Sequence, residues 1–386
     1  MKKVYLDNAA TTPIADQVIT EMVAAMKNFG NPSSTHSFGQ EAKILIENVR
    51  RKIADYLRVS PAEIIFTSCG TESNNMIIKS CVRNLGVTRI ITSPIEHKCV
   101  AETVAEMKSR KNVEVVYLRP DKKGDIDLVQ LEEVLKQSDA KTLVSLMHAN
   151  NEIGNMIDLK KVATICKEFN ALFHSDTVQS MAHMDLDFSD IPVDFASCSA
   201  HKFHGPKGSG FAFIRKSSGL KALITGGPQE RSLRAGTENV AGIVGLGASM
   251  ELAMKHMKEY SEHIIQIKDY AVKRISESVP SVKFNGRSSE HSSLYTVLSV
   301  LLPFKDPMIG MKLDMQGIAV SQGSACSSGA SKPSMVMLML LDDEELNTTT
   351  PLRVSFSHLT TTDEIDVLAD ALQKIAESYN IESVNS

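Results

Sequence analysis

Between Glu63 and Arg215 the chain alternates short β-branched runs with amphipathic ones. EIIFTS (63–68), RIITSP (89–94), VEVVYL (113–118), TLVSLMH (142–148), LFHSD (172–176) and GFAFIRK (210–216) read as strands, bounded by turn residues. Between them VAETVAEMKSR (100–110), LVQLEEVLK (128–136) and LKKVATICKEF (159–169) space their apolar residues as helices do. Strands apolar on both faces, alternating with helices, predict an α/β domain whose mainly parallel sheet is covered on both sides.

The pattern then changes. A long helical stretch is expected from about Asn239 to Ser278. It is followed by the β-like runs SVKFNG (281–286), LYTVLSVLL (294–302), IAVSQGS (318–324) and PLRVSFS (351–357), with helical DPMIGMKLDMQ among them. A last helix has a Thr/Asp start near 361–363 and the stripe Ile365, Leu368, Leu372, Ile375. This mixture predicts a smaller α+β domain. The expected division is a large domain over 15–255 and a small one made of 1–14 with 256–386. SQGSACSSGASKPS (321–334), rich in Ser and Gly, reads as a loop before the apolar run MVMLMLL.

Composition narrows the function classes. The 386 residues hold 42 Lys plus Arg against 46 Asp plus Glu, a net charge of −4. That excludes a generally basic nucleic-acid or membrane-surface protein. No apolar run approaches the ~20 residues of a membrane-spanning helix. MKKVYLDNAATTP has no apolar core of a secretory signal, so a cytoplasmic protein is expected. The six cysteines include no C-x-x-C pair, which points to reduced thiols, packed as small hydrophobes unless one is exceptional.

Several polar residues fall at predicted strand ends, where open α/β sheets bind ligands. Asp176 ends LFHSD, and Lys202 stands in SCSAHKFHGPKG before a Gly-Pro turn. Gly70 and Thr71 follow the strand EIIFTS, at a turn whose backbone N–H groups can hold an anion. His97 follows RIITSP and could stack on a flat ring or move a proton. Singly, each also fits capping, ion pairing or simple solvation. Together, a lysine for a Schiff base, an aspartate for a pyridinium nitrogen and a phosphate cradle describe a pyridoxal-phosphate site. HKFH (201–204) lacks further ligands at metal spacing, so no metal is expected.

The segments YLDNAATTP, FGNPSSTHSFGQEA, FTSCGTESNN, EHKCV, HANNEIGN, HSDTVQS, SAHKFHGPKG, GGPQERSLRAGTENVAGI, SQGSACSSG and LRVSFSHLT occur in that order. In this the chain resembles the NifS/IscS-like cysteine desulfurases, class V pyridoxal-phosphate enzymes of fold type I, from Tyr5 to about Thr362. The resemblance implies a large domain with a mainly parallel seven-stranded sheet beside a smaller α+β domain. It implies Lys202 as the Schiff-base lysine and Asp176 as the partner of the pyridinium nitrogen. Gly70, Thr71, Ser199 and His201 would hold the phosphate, and Thr237 would reach the phosphate of a neighbouring subunit, hence a homodimer. Asn151 and Gln179 would contact the ring oxygen, His97 would stack over the ring, and Arg353, with Asn151, would bind the substrate, the arginine gripping its carboxylate.

Cys326, in the G-S-A-C segment, matches the family's catalytic cysteine and would take the sulfur of L-cysteine as a persulfide. L-alanine is the other product, and a sulfur-acceptor protein of iron–sulfur assembly or tRNA thiolation is the implied partner. His97, or the substrate itself, would receive the thiol proton. A selenocysteine lyase or another pyridoxal-phosphate lyase or aminotransferase is the alternative, with a non-catalytic scaffold behind it. Pro228, Gln322, Ser175 and the pair Ser357-His358 depart from common family wording without removing a catalytic group. Cys69, Cys99 and Cys198 lie beside site motifs and are expected to pack.

Overall fold

Seven strands build the large sheet in the computed structural model, which describes residues 3–111, 113–216, 218–322 and 333–379. Across the sheet they run Ile64–Thr67, Gly210–Ile214, Phe195–Ser199, Leu172–Asp176, Thr142–Ser145, Arg89–Thr92, Glu114–Tyr117. Gly210–Ile214 is antiparallel to both neighbours; the other pairings are parallel. Successive residues face opposite sides. Ile64, Ile91, Val144 and Phe173 join a core with the helices Ser37–Leu57, Leu159–Glu168 and Val240–Lys255. Ile65, Ile90 and Leu143 join another with Gly70–Asn84 and Lys98–Lys111. The α/β sheet expected from the sequence is therefore present, covered on both faces.

A separate core gathers Val4 and Leu6 with Ile264, Ile267, Leu298, Val300, Val354, Leu368 and Leu372. Its sheet is antiparallel, with Val297–Leu302 between Lys283–Phe284 and Thr350–Ser355. Val4–Tyr5 pairs in parallel with Ile318–Ala319, so the chain start is stitched to its last third. The last helix, Thr362–Glu377, starts where expected, at a capping box of Thr361 and Glu364.

Three elements differ from the sequence reading. The strand Phe195–Ser199, fully buried, lies in the run FASCS, which has small polar residues where a strand signal is sought. The single helical stretch expected over 239–278 is two helices, Val240–Lys255 and Met257–Ser278, broken at His256 (φ −107°, ψ 10°). IAVSQGS shortens to the strand Ile318–Ala319. Cys326 lies outside the described residues.

Candidate active site

Five strands that point the same way end on one edge of the sheet, and the turns beyond them supply the site. Thr67 leads to Gly70, Thr92 to His97, Ser145 to Asn151, and Ser199 to Lys202, while Asp176 is itself a strand end. Gly70, Thr71, His97, Asn151, Asp176, Gln179, Ser199, His201, Lys202 and Arg353 all line one cavity of about 330 Å³. That volume suits a small ligand, for which pockets run about 300–1,000 Å³. Thr237 is not in it. It is exposed, beside Glu230 and Arg234 at a smaller hollow of about 140 Å³.

The chain start closes the cavity. Ala9 N–H is held by Ser355 Oγ at 2.8 Å, and Thr12 N–H by the His201 carbonyl at 2.9 Å. The carbonyls of Ala9 and Ala10 then accept from Lys202 Nζ at 2.7 and 2.9 Å. Burial and the nearby Arg353 guanidinium push the lysine's pKa down to about 8, against the pull of Asp176 and Asp7. Near neutral to mildly alkaline pH, a fraction of this amine is therefore free to act as nucleophile or base.

Residues 4–368 match the family described as Aminotransferase class-V. A cysteine desulfurase IscS of Dictyoglomus turgidum is 39% identical over 379 residues, spanning 97% of this chain and 95% of that protein. The chain belongs to the class-V aminotransferases, in the cysteine desulfurase branch. A cysteine desulfurase IscS of Methanosarcina thermophila is 37% identical over 381 residues, 97% of this chain and 92% of its own. Among solved structures, a NifS-like protein superposes with a TM-score of 0.88 at 36% identity, over 98% of this chain and 100% of that one. SspA in complex with cysteine gives 0.79 at 34%, over 93% and 100%.

Class-V aminotransferases bind pyridoxal phosphate, and the cavity's chemistry fits that group. Asp176, buried, accepts from Asn74 Nδ2 at 2.7 Å, Val178 N–H at 3.0 Å and Ser197 Oγ at 3.4 Å, which suits a fixed carboxylate facing a pyridinium. Ser199 Oγ is buried with no hydrogen-bond partner among the described residues, a donor suited to a phosphate oxygen. The helix Gly70–Asn84 has no side-chain cap at its start, so its first N–H groups remain for an anion. A Cβ on Gly70 would lie 2.4 Å from Val178 Cγ2, so glycine is required for this close approach. His201, its ring bonded to Thr11 Oγ1 at 3.2 Å, has its pKa pushed down to about 4 by burial and by Lys202 and Lys207. Gln179 donates to the Ala9 carbonyl at 3.0 Å.

Arg353 comes from the small antiparallel sheet. Its Nη2 pairs with Asp7 Oδ1 at 2.8 Å and its Nη1 donates to the Asn151 carbonyl at 3.0 Å, leaving further N–H groups for a carboxylate. Asp7, Asn74, His174 and Cys99 were not legible as site residues. Asn74 sits in the second turn of the helix Gly70–Asn84. The ligand atoms of His97, Cys99 and Asp176 lie within 4.8 Å of one another, a spacing a metal could span. His97 Nδ1 and the Cys99 thiol lie in hydrogen-bond contact, and Asn74 donates to both Cys99 and Asp176.

Proposed function

We infer that this protein is a cysteine desulfurase, converting L-cysteine to L-alanine and placing the sulfur on Cys326 as a persulfide. The observation that carries the reading is one cavity holding a half-buried lysine of lowered pKa, a hydrogen-bonded aspartate and a partly free arginine. Pyridoxal 5′-phosphate is the cofactor; when bound it supplies an electron sink for the substrate Cα. Lys202 would carry it, Asp176 would face its ring nitrogen, and Gly70, Thr71, Ser199 and His201 would hold its phosphate. Asn151 and Gln179 would contact the ring oxygen, and His97 would stack over the ring.

Arg353 orients the substrate by its carboxylate, with two N–H groups matching two oxygens. Lys202, neutral in part at working pH, removes the Cα proton. The Cys326 thiolate then attacks the substrate sulfur. An S–S bond forms as the Cβ–S bond breaks, and the carbon side keeps the electron pair and, with a proton, becomes the methyl group of alanine. L-Cysteine and a thiol thus become L-alanine and a persulfide, with atoms and electrons balanced.

The working unit is a homodimer. Thr237 is exposed and away from its own cavity, as a residue serving a neighbour's phosphate must be. Close by, Gln229 touches Ser33 at 3.4 Å, between the exposed Phe29 and Phe38. Those two rings are 5.1 Å apart, and Ile19, Val23 and Met26 of the helix Asp16–Met26 are exposed as well. The persulfide passes to a sulfur-acceptor protein of iron–sulfur assembly or tRNA thiolation. A cytoplasmic location accords with five free cysteines among the described residues, none of whose helices is long and apolar enough to cross a membrane. Intact-protein mass spectrometry after addition of L-cysteine tests the reading. One added sulfur mapping to Cys326 is expected; a Cys326→Ser protein that still releases sulfide and alanine at the parent rate overturns it.

A further inference from the structure

His97 ends the turn before the helix Lys98–Lys111, and its ring folds back onto that helix's first turn. The backbone N–H of Cys99 points at His97 Nδ1 at 3.2 Å. An N–H can only donate, so Nδ1 is the acceptor, and the neutral ring carries its proton on Nε2. The Cys99 thiol lies 3.0 Å from the same Nδ1.

The thiol's direction follows from its other neighbours, Asn74 and Thr71. Asn74 Nδ2 has two hydrogens, and it contacts Asp176 Oδ2 at 2.7 Å and Cys99 Sγ at 3.2 Å. Sulfur therefore accepts from Asn74 and from the Thr71 hydroxyl, both of which favour its charged form against burial, and its own proton faces His97 Nδ1. Asn74 is held in this orientation because its Oδ1 faces His174 Nε2 at 3.1 Å, while His174 Nδ1 meets Ser145 Oγ at 2.9 Å. His174 is fully buried, and burial pushes its pKa down to about 4, so it is neutral and donates through Nε2. Every proton in the chain from Ser145 to His174, Asn74, Cys99 and His97 is thereby assigned. The same amide holds the Asp176 carboxylate.

We propose that Cys99 is a positioning residue that, through its backbone N–H and its thiol, keeps His97 a neutral imidazole presenting Nε2–H to the substrate side of the cavity. His97 then acts as a hydrogen-bond donor and proton source. It does not serve as the acceptor of the thiol proton, a task left to Lys202 or the substrate. Three further features favour the neutral ring. The positive end of the helix lies against Nδ1. Burial pushes the ring's pKa down, and the Lys202 charge adds to it, against the opposing pull of Asp176. Glu96, the residue before, is buried, and burial pushes its carboxyl well above the usual range, which disfavours a negative charge beside the ring. A thiol at 99 is thus part of the site and not packing alone.

The inference rests on the reading of His97 as a site residue, and its test does not need turnover. In holoenzyme labelled with ¹⁵N-histidine, His97 signals are assigned by their loss in His97→Gln. An Nε2–H tautomer is expected, and a parent Nδ1–H tautomer overturns the proposal even if every variant fails to fold. Cys99→Ala removes the thiol but keeps the backbone N–H, and the His97 midpoint should rise by about half a pH unit. Cys99→Ser can donate and accept at the same place and should restore the parent midpoint. The acid limb of the pH profile for alanine formation should move with the midpoint. Coincident His97 titrations in the parent and Cys99→Ala overturn the role of the thiol. Failure of desulfuration with these titrations as expected would count against the proposed function and not against this tautomer.

Discussion

Arg353 Nη2 and Asp7 Oδ1 stand 2.8 Å apart although 346 residues separate them in sequence. The pair joins the strand Thr350–Ser355 to the chain start, which in turn carries the carbonyls that hold Lys202. On the proposed function, Asp7 holds the guanidinium that would meet the substrate carboxylate. Asp7→Asn keeps the shape and removes the charge. The expected result is a KM for L-cysteine raised about tenfold, the size of one weakened charge-assisted hydrogen bond, with kcat changed little. Steady-state kinetics of alanine formation check this; an unchanged KM would show that Arg353 needs no such anchor.

Acid should weaken the fold through buried neutral histidines. Burial pushes His148 and His174 down to about 4 from an ordinary 6.5. Between those values the unfolded chain binds more protons than the native one, so stability rises with pH there and is lost as pH falls from about 6.5 toward 4. Each histidine contributes a slope of about 1.4 kcal/mol per pH unit. Urea midpoints measured from pH 7.5 down to 5 should fall steadily. His148→Gln, which can still reach Ser180, should flatten the fall, and an equally steep dependence would refute the assignment to His148.

A buried ion pair holds the loop that leads to Thr237. Arg50 makes paired hydrogen bonds to Glu230, Nη1 to Oε2 at 2.8 Å and Nη2 to Oε1 at 2.7 Å, and Glu230 Oε2 also accepts from Phe66 N–H at 2.7 Å. Glu230, Arg231 and Ser232 have φ of 46°, 56° and 63°, three consecutive left-handed residues without a glycine. Such backbone persists only where its surroundings enforce it. Arg50→Met strands the Glu230 charge and should cost about 3–5 kcal/mol in urea unfolding. Arg50→Met with Glu230→Leu should recover part of that loss, because no buried charge is left alone. A double variant no better than the sum of the singles would show that the pair does not act as a unit.

How much of this was legible in the sequence depends on how local each signal is. Ile64, Ile90, Val144 and Phe173 announced their strands by β-branched and aromatic composition, and Lys202 and Asp176 stood out at strand ends. Phe195–Ser199 escaped because a strand buried on both faces at the sheet centre can be built of small residues whose pairing partners supply the bulk. The break at His256 has neither Pro nor Gly to mark it. Asn74, His174 and Cys99 read as ordinary polar or packing residues, since their contacts join the helices Gly70–Asn84 and Lys98–Lys111 and the strand Leu172–Asp176, far apart in sequence. Asp7 lay within a recognised motif, but its partner lay at the other end of the chain.

The exposed aromatic pair gives the last prediction. Phe29 keeps 79% and Phe38 50% of their surface exposed, and the helix Asp16–Met26 adds Val23 at 50% and Met26 at 63%. Covering this surface with a second copy removes apolar area from water, the main driving force of association. Phe29→Glu with Phe38→Glu places two like charges on the same face and should shift the protein from dimer to monomer, read by sedimentation at micromolar concentration. The monomer should also lose affinity for pyridoxal phosphate, because Thr237 then has no neighbouring phosphate to reach. A charged variant that stays dimeric would place the interface elsewhere, and a monomer with undiminished cofactor affinity would remove Thr237 from the site.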